Sequence, residues 1–161
     1  MVKEIKCFGG QIVLVDDEDY PILSRHAWCL CGNKKRKYAS TTLNSANGGI
    51  KVYMHHMIMG TANIDHRSAD QFDNQKTNLR KATKSQNGGN ARKMKTRMGK
   101  PTSSKYKGVH WSKTAGKWRA VIKCEGKMYY GGNFNKEEEA ARAYNKLAKK
   151  LFGEYARVNK I

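Results

Sequence analysis

Between residues 136 and 152 the apolar positions Ala140, Ala141, Tyr144, Leu147, Ala148 and Leu151 recur at helical spacing, which predicts a helix from about Lys136 to Phe152. Glu137, Glu138 and Glu139 suit its positive end, basic residues suit its last turn, and Gly153 is its expected stop. Upstream the period changes to two. Tyr106 to Lys113, Lys117 to Cys124 and Lys127 to Phe134 read as three strands joined by turns at Thr114-Ala115-Gly116 and Glu125-Gly126. In the middle strand Trp118, Ala120 and Ile122 point toward the helix, while Arg119, Val121 and Lys123 point away. The expected product is a three-stranded antiparallel sheet packed on one helix, with its other face open.

The pattern is weaker toward the amino terminus. Gln11 to Val15 reads as an apolar strand, and the acidic cluster Asp16-Asp17-Glu18-Asp19 should open a short helix or turn leading into Tyr20 to Trp28. Lys37 to Leu43 and Ile50 to Tyr53 read as a hairpin around the turn Asn47-Gly48-Gly49. Met54 to Gly60 is a short apolar element closed by glycine, and it delivers the chain to Asp65-His66. A polar loop from Arg67 to Lys76 follows, then a strand-capable stretch from Leu79 to Ala82. Thr83-Lys84-Ser85-Gln86 fits a capping box, so a helix should begin there with Asn87 in its first turn. The order is strand, loop, strand, helix. Gly88 to Ser104 combines glycine, proline and basic residues without apolar periodicity and reads as a flexible basic linker. The fold class is α+β.

Charge changes this picture by naming a partner. The 161 residues carry a formal charge of +19, and between Asn74 and Cys124 there are fifteen basic residues and no acidic one. Such a stretch suits a polyphosphate, and the aromatic residues Tyr106, Trp111, Trp118, Tyr129 and Tyr130 within or beside it argue that it folds. The helix with an acidic start is unlike a membrane-surface helix. No apolar stretch reaches transmembrane length and the first residues lack the apolar core of a signal peptide, so a soluble, intracellular, cytoplasmic protein is expected. Cys7, Cys29, Cys31 and Cys124 show no C-x-x-C spacing and read as idle thiols.

Chemistry concentrates at Asp65-His66, followed by Asn78-Leu79-Arg80 and then Ser85-Gln86-Asn87. An aspartate beside a histidine, with a second oxygen ligand about twenty residues on, holds a divalent metal and supplies a base next to it. Hard oxygen ligands suit magnesium, with manganese as a substitute, and an imidazole titrates close enough to neutrality to accept a proton. Arg80 reads either as a clamp on phosphate or as a solvated strand residue. On the sheet, the outward row of Arg119, Val121 and Lys123, with Lys107, His110 and Ser112 from the first strand and Tyr130 from the third, is wide enough for the major groove of a duplex.

Two resemblances sharpen these readings. Ser104-Lys105-Tyr106-Lys107-Gly108-Val109, Gly116-Lys117-Trp118-Arg119-Ala120, Gly132-Asn133-Phe134 and Glu138-Glu139-Ala140-Ala141-Arg142-Ala143-Tyr144 resemble the ethylene-response-factor (APETALA-type) DNA-binding domain. The resemblance implies DNA contacts at Lys107, His110, Ser112, Arg119, Val121, Lys123, Met128 and Tyr130. His110, Ser112, Val121 and Met128 stand where several plant proteins carry arginine or an acid, so the plant target sequence does not carry over.

Asp65-His66, Asp73-Asn74, Asn78-Leu79-Arg80 and Asn87 resemble the HNH endonucleases, above all the small phage and intron homing enzymes. That resemblance implies His66 as general base, Asp65 and Asn87 as ligands of one divalent ion, and Asn78 as the residue that pins the loop and orients His66. It also leaves His55 a supporting role near the phosphate, with structural packing an equal reading. Ser68-Ala69-Asp70 replaces the family's usual loop glycine, and His56 replaces an arginine.

The chain is therefore expected to carry an N-terminal mixed segment (1–50), a ββα-metal nuclease module (51–92), a basic linker (93–103) and a DNA-binding domain (104–161). The expected activity is that of a site-directed, homing-type endonuclease on double-stranded DNA, leaving 5′-phosphate and 3′-hydroxyl ends, in a phage-infected or prophage-carrying host. No membrane or small-molecule substrate is expected. The alternative is a non-catalytic, sequence-specific transcriptional regulator; an RNA partner is disfavoured because the A-form major groove is too narrow for a sheet.

Overall fold

The computed structural model describes residues 1–33, 36–45, 48–97 and 99–161, so Asn47 of the predicted turn lies outside the described residues. The chain divides into two compact units, Met1–Thr83 and Lys84–Ile161.

In the first unit an antiparallel hairpin of β1 (Val2–Lys6) and β2 (Ile12–Asp16) is followed by one turn of helix, α1 (Tyr20–Leu23). Next comes a three-stranded antiparallel sheet of β3 (Cys29–Asn33), β4 (Arg36–Ser45) and β5 (Gly48–Tyr53), with β4 in the centre. The second hairpin arm and the apolar helix α2 (Met54–Met59) lie where the pattern puts them, and Gly60 ends α2 in the left-handed conformation at φ 63°. The pattern gave no warning of β1 or β3, whose short sequences carry little alternation. The core joins Ile5, Val13 and Val15 of the hairpin to Leu23, Trp28, Ala39 and Met54. Trp28 stays apolar in its body and satisfied at its edge, because its indole N–H donates to the Leu23 carbonyl at 2.8 Å.

A second, two-stranded pairing of β6 (Ile64–His66) with β7 (Leu79–Lys81) closes this unit, in the register Ile64↔Lys81, Asp65↔Arg80 and His66↔Leu79. The loop between these strands is held by the first hairpin. Leu14 donates its N–H to the Phe72 carbonyl and accepts from Asn74 N–H, both at 2.8 Å, making a parallel bridge at the edge of β2. The acidic cluster anchors the same loop: Asp16 accepts from the Lys76 backbone at 2.7 Å, and the Lys76 ammonium meets Glu18 and Asp19 at 2.6 and 3.2 Å.

The second unit opens with α3 (Lys84–Asn90), beginning where the capping box predicts. The stretch read as a linker carries a minimal hairpin of β8 (Thr96–Arg97) and β9 (Lys100–Pro101). β10 (Val109–Ser112), β11 (Lys117–Cys124) and β12 (Lys127–Phe134) then form the expected antiparallel sheet, followed by α4 (Glu137–Phe152) and a 3-10 turn at Gly153–Tyr155. Ala120, Ala140, Ala141 and Ala148 are fully buried between sheet and helix. These small residues let α4 settle close on the strands, and Tyr106, Ile122, Tyr144 and Phe152 fill the space around them. Glu137 fixes the start of α4 by accepting from the Ser104 hydroxyl at 2.5 Å and the Lys105 N–H at 3.0 Å.

Gly108 is where this packing admits no side chain. Its φ is +71°, and a Cβ there would sit 2.0 Å from the buried Tyr144 ring and 2.8 Å from the Val121 carbonyl. The same Gly108 accepts the Val121 N–H at 2.8 Å, so the turn entering β10 is tied to the middle strand.

Candidate functional site

Three elements of the first unit converge on His66. β6 carries Asp65 and His66 side by side, β7 brings Arg80 opposite Asp65, and α2 brings His55. The ring centres of His55 and His66 are 5.0 Å apart and edge-to-face, and Tyr38 of β4 packs on both, at 5.3 and 6.1 Å. Tyr53 stacks on His55 at 5.7 Å. His56 bonds to the Ala62 backbone, and its ring meets those of His55 and Tyr53 edge-on at 4.4 and 5.3 Å.

The loop residues divide their tasks. Asn78 Oδ1 accepts from the Ser68 N–H at 2.8 Å, and its Nδ2 donates to the Asp73 carbonyl at 2.7 Å, so one side chain spans the loop from end to end. The His66 ring itself bonds to a residue that the motif contained without a role. Asn74, 1% exposed, places Oδ1 3.3 Å from His66 Nε2 while its Nδ2 donates to the Gln71 carbonyl. With the amide oriented by Gln71, Oδ1 faces the ring as an acceptor, which favours the tautomer with its proton on Nε2. The Asp-Asn pair was the available signal, but only the docked loop shows what the asparagine touches.

Asp65 and Arg80 are 3% and 7% exposed and form a buried ion pair, with Nε and Nη2 donating to Oδ2 at 3.0 and 2.9 Å. Arg80 is thus buried and is not the solvated strand residue of one sequence reading. Its guanidinium holds the carboxylate. Asn87 is on α3, in the second unit. Among the described residues, the one cluster of three acids close enough together to share a cation is Asp16, Glu18 and Asp19, already engaged by Lys76.

Burial keeps the histidines neutral. Desolvation, then the neighbouring His66 and His56, push His55 down to about 3. Desolvation also lowers His66, against the opposing pull of the Asn74 bond and of Asp65, Asp73 and Asp70. A neutral imidazole is the form that accepts a proton. The linkage has a definite sign. An unfolded histidine takes its proton near 6.5 while the folded His55 resists until about 3, so stability is complete above pH 6.5 and drains as pH falls through that window. Urea melts across this range should show the acid loss in the wild type and a flatter limb in His55→Gln; identical limbs would remove His55 as its source.

The sheet of the second unit presents its own face. Strand pairing puts His110, Arg119, Val121, Lys123, Met128 and Tyr130 on the side opposite α4, and Tyr130 is 66% exposed. Asn133 joins them, accepting from Arg119 Nε at 2.9 Å, a partner that alternation along the strand did not reveal. A bulge at Gly131 lets the strand pass tightly over Ala120 and Leu147. Two expected members sit differently. Ser112 is 8% exposed and accepts from the Ala115 N–H, and the Lys107 ammonium donates to the carbonyls of Gly88 and Gly89, at the end of α3.

Comparison with known proteins finds relatives of two kinds. The chain is 31% identical over 155 residues, 94% of its length and 76% of the relative, to an uncharacterized HNH endonuclease of Acanthamoeba polyphaga mimivirus. Over 66 residues, 40% of this chain, it is 41% identical to the APETALA2-like protein 2 of Oryza sativa, in both the indica and japonica subspecies, matching 15% of that protein. No family model matches, and no solved structure matches.

Proposed function

The chain belongs to the HNH endonuclease family, and from that premise we propose that it is a site-directed, homing-type endonuclease that hydrolyses double-stranded DNA to 5′-phosphate and 3′-hydroxyl ends. The observation that carries the reading is the neutral, buried His66 beside Asp65, in a loop pinned by Asn78. His66 Nδ1 takes the proton from the attacking water, and Asn74 and Asn78 keep the ring and loop in place. His55 and Tyr38 wall the imidazole and exclude bulk water from its flank.

The Asp65 carboxylate, a hard oxygen donor that is buried and oriented by Arg80, would hold a divalent ion. When bound there, magnesium, or manganese in its place, supplies positive charge against the charge that develops on the phosphate. The outward face of β10, β11 and β12 binds the duplex through His110, Arg119, Val121, Lys123, Met128 and Tyr130 and so places the cut. Among the described residues no helix is long and apolar enough to cross a membrane, and the proposed setting is the cytoplasm of a phage-infected or prophage-carrying host.

The test is direct. Purified protein is incubated with supercoiled DNA carrying the gene's own flanking region, with magnesium or with chelator. Nicked or linear product that appears with magnesium alone supports the nuclease; tight binding without cutting under any divalent ion makes the chain a DNA-binding regulator instead.

A further inference from the structure

The sheet of the first unit has one face on the core; on the other, Ser40 is buried and Tyr38 and Tyr53 are half-buried, while Arg36, Thr42 and Lys51 are exposed. Ala39 of its central strand is buried in the core, with Leu30 of β3 opposite it. The pairs Asn33↔Arg36, Cys31↔Tyr38, Cys29↔Ser40, Ser40↔Tyr53 and Thr42↔Lys51 therefore point to the other side.

Three observations give that side a partner. Residues 29–53 contain five Lys or Arg and no Asp or Glu, and on the face itself Arg36 and Lys51 are exposed. The Lys51 ammonium leans on the Cys31 sulfur at 3.4 Å, a weak acceptor that leaves its charge in place. Second, the face is continuous with the histidine site. A concavity lined by Asn33, Arg36, Tyr38, Tyr53, His55 and His56 opens at one end, and the Tyr38 and Tyr53 rings are the ones that pack on His55. Third, its central strand from Arg36 to Thr42 extends roughly 20 Å, long enough to lie along several phosphates of one strand.

We propose that the face of the β3–β4–β5 sheet turned away from the core is a DNA-backbone-binding surface, in which the exposed Arg36 and Lys51 contact phosphates flanking the one presented to His66. The inference rests on the nuclease reading for the identity of that phosphate. The surface is separate from the recognition face of the second unit and is built for register along the backbone, not for base sequence: it offers cations, hydroxyls and amides and no large aliphatic side chain.

The experiment measures binding without cutting. Full-length protein in chelator is titrated against a fluorescein-labelled DNA duplex of random sequence over a series of salt concentrations. The double variant Arg36→Ala/Lys51→Ala, and Arg36→Gln/Lys51→Gln as a milder pair, should bind severalfold more weakly at low salt. The slope of log affinity against log salt should fall by about two, one for each phosphate that no longer has its cation. Lys37→Ala removes an exposed charge on the opposite side of the same strand and should leave the slope unchanged.

A wild-type slope in both double variants overturns the proposal, as does an equal fall in Lys37→Ala, which would mean diffuse charge alone. A fall seen with an RNA duplex and not with DNA would also overturn it and give the face to RNA. Because chelated protein does not cut, absent nuclease activity leaves this readout intact. Normal magnesium-dependent cutting with an unchanged slope would sink the surface alone.

Discussion

His66→Ala should lower single-turnover DNA cutting about 10²- to 10⁴-fold, the usual worth of a positioned general base. The size of the effect follows from the surroundings of the ring. Burial favours its neutral form, and the Asn74 oxygen beside Nε2 favours the tautomer with the proton there. Alanine also leaves a buried gap and an unpaired Asn74 oxygen, so the substitution could act through folding. His66→Gln separates the two causes. Its amide N–H can still donate toward Asn74, but its side chain cannot take a proton at neutral pH. Both variants should bind the duplex as the wild type does, and both should fail to cut. Cutting by His66→Gln at the wild-type rate would place the base elsewhere, with the nearby His55 as the first residue to test.

Arg80→Ala should destabilise the first unit by about 3–5 kcal/mol, because it strands the Asp65 carboxylate in the interior without its two N–H donors. A lysine at this position keeps the charge and loses the planar fork, so Arg80→Lys should fall between alanine and wild type. The double substitution Asp65→Leu/Arg80→Met removes the charged partners together and should recover much of the loss. Urea melts give the totals, and segment-resolved hydrogen exchange should locate the loosening at β6, β7 and the loop between them. An Arg80→Ala protein within about 0.5 kcal/mol of wild type would mean that the pair is effectively a surface pair.

The histidine cluster and the ion pair show where sequence reasoning reached its limit. The Asp-His pair, the later asparagines and the basic middle of the chain are local facts, and family resemblance alone assigns them roles. The register that puts Arg80 across from Asp65 spans a loop of twelve residues, and nothing in the spacing sets it. Asn74 is a sharper case: its bond to His66 exists because the backbone of Leu14, sixty residues before it in the chain, captures the loop at the edge of β2. Lys107 and Ser112 make the same point from the second unit, since alternation says which way a side chain leaves the strand but not what covers it on arrival.

What the sequence determined by itself is the part written in short-range periodicity. The α4 helix runs Glu137–Phe152 against an expected start at Lys136, and β11 and β12 match their predicted bounds, because a period of 3.6 or 2 with charged ends and glycine stops is a property of neighbouring residues. The tertiary structure decided the pairings of β1 and β3, the neutral state of His55, the capture of Arg80 by Asp65 and the face of the first sheet turned away from the core. Each of these depends on desolvation or on a partner distant in the chain, and those energies exist only once the chain has closed on itself.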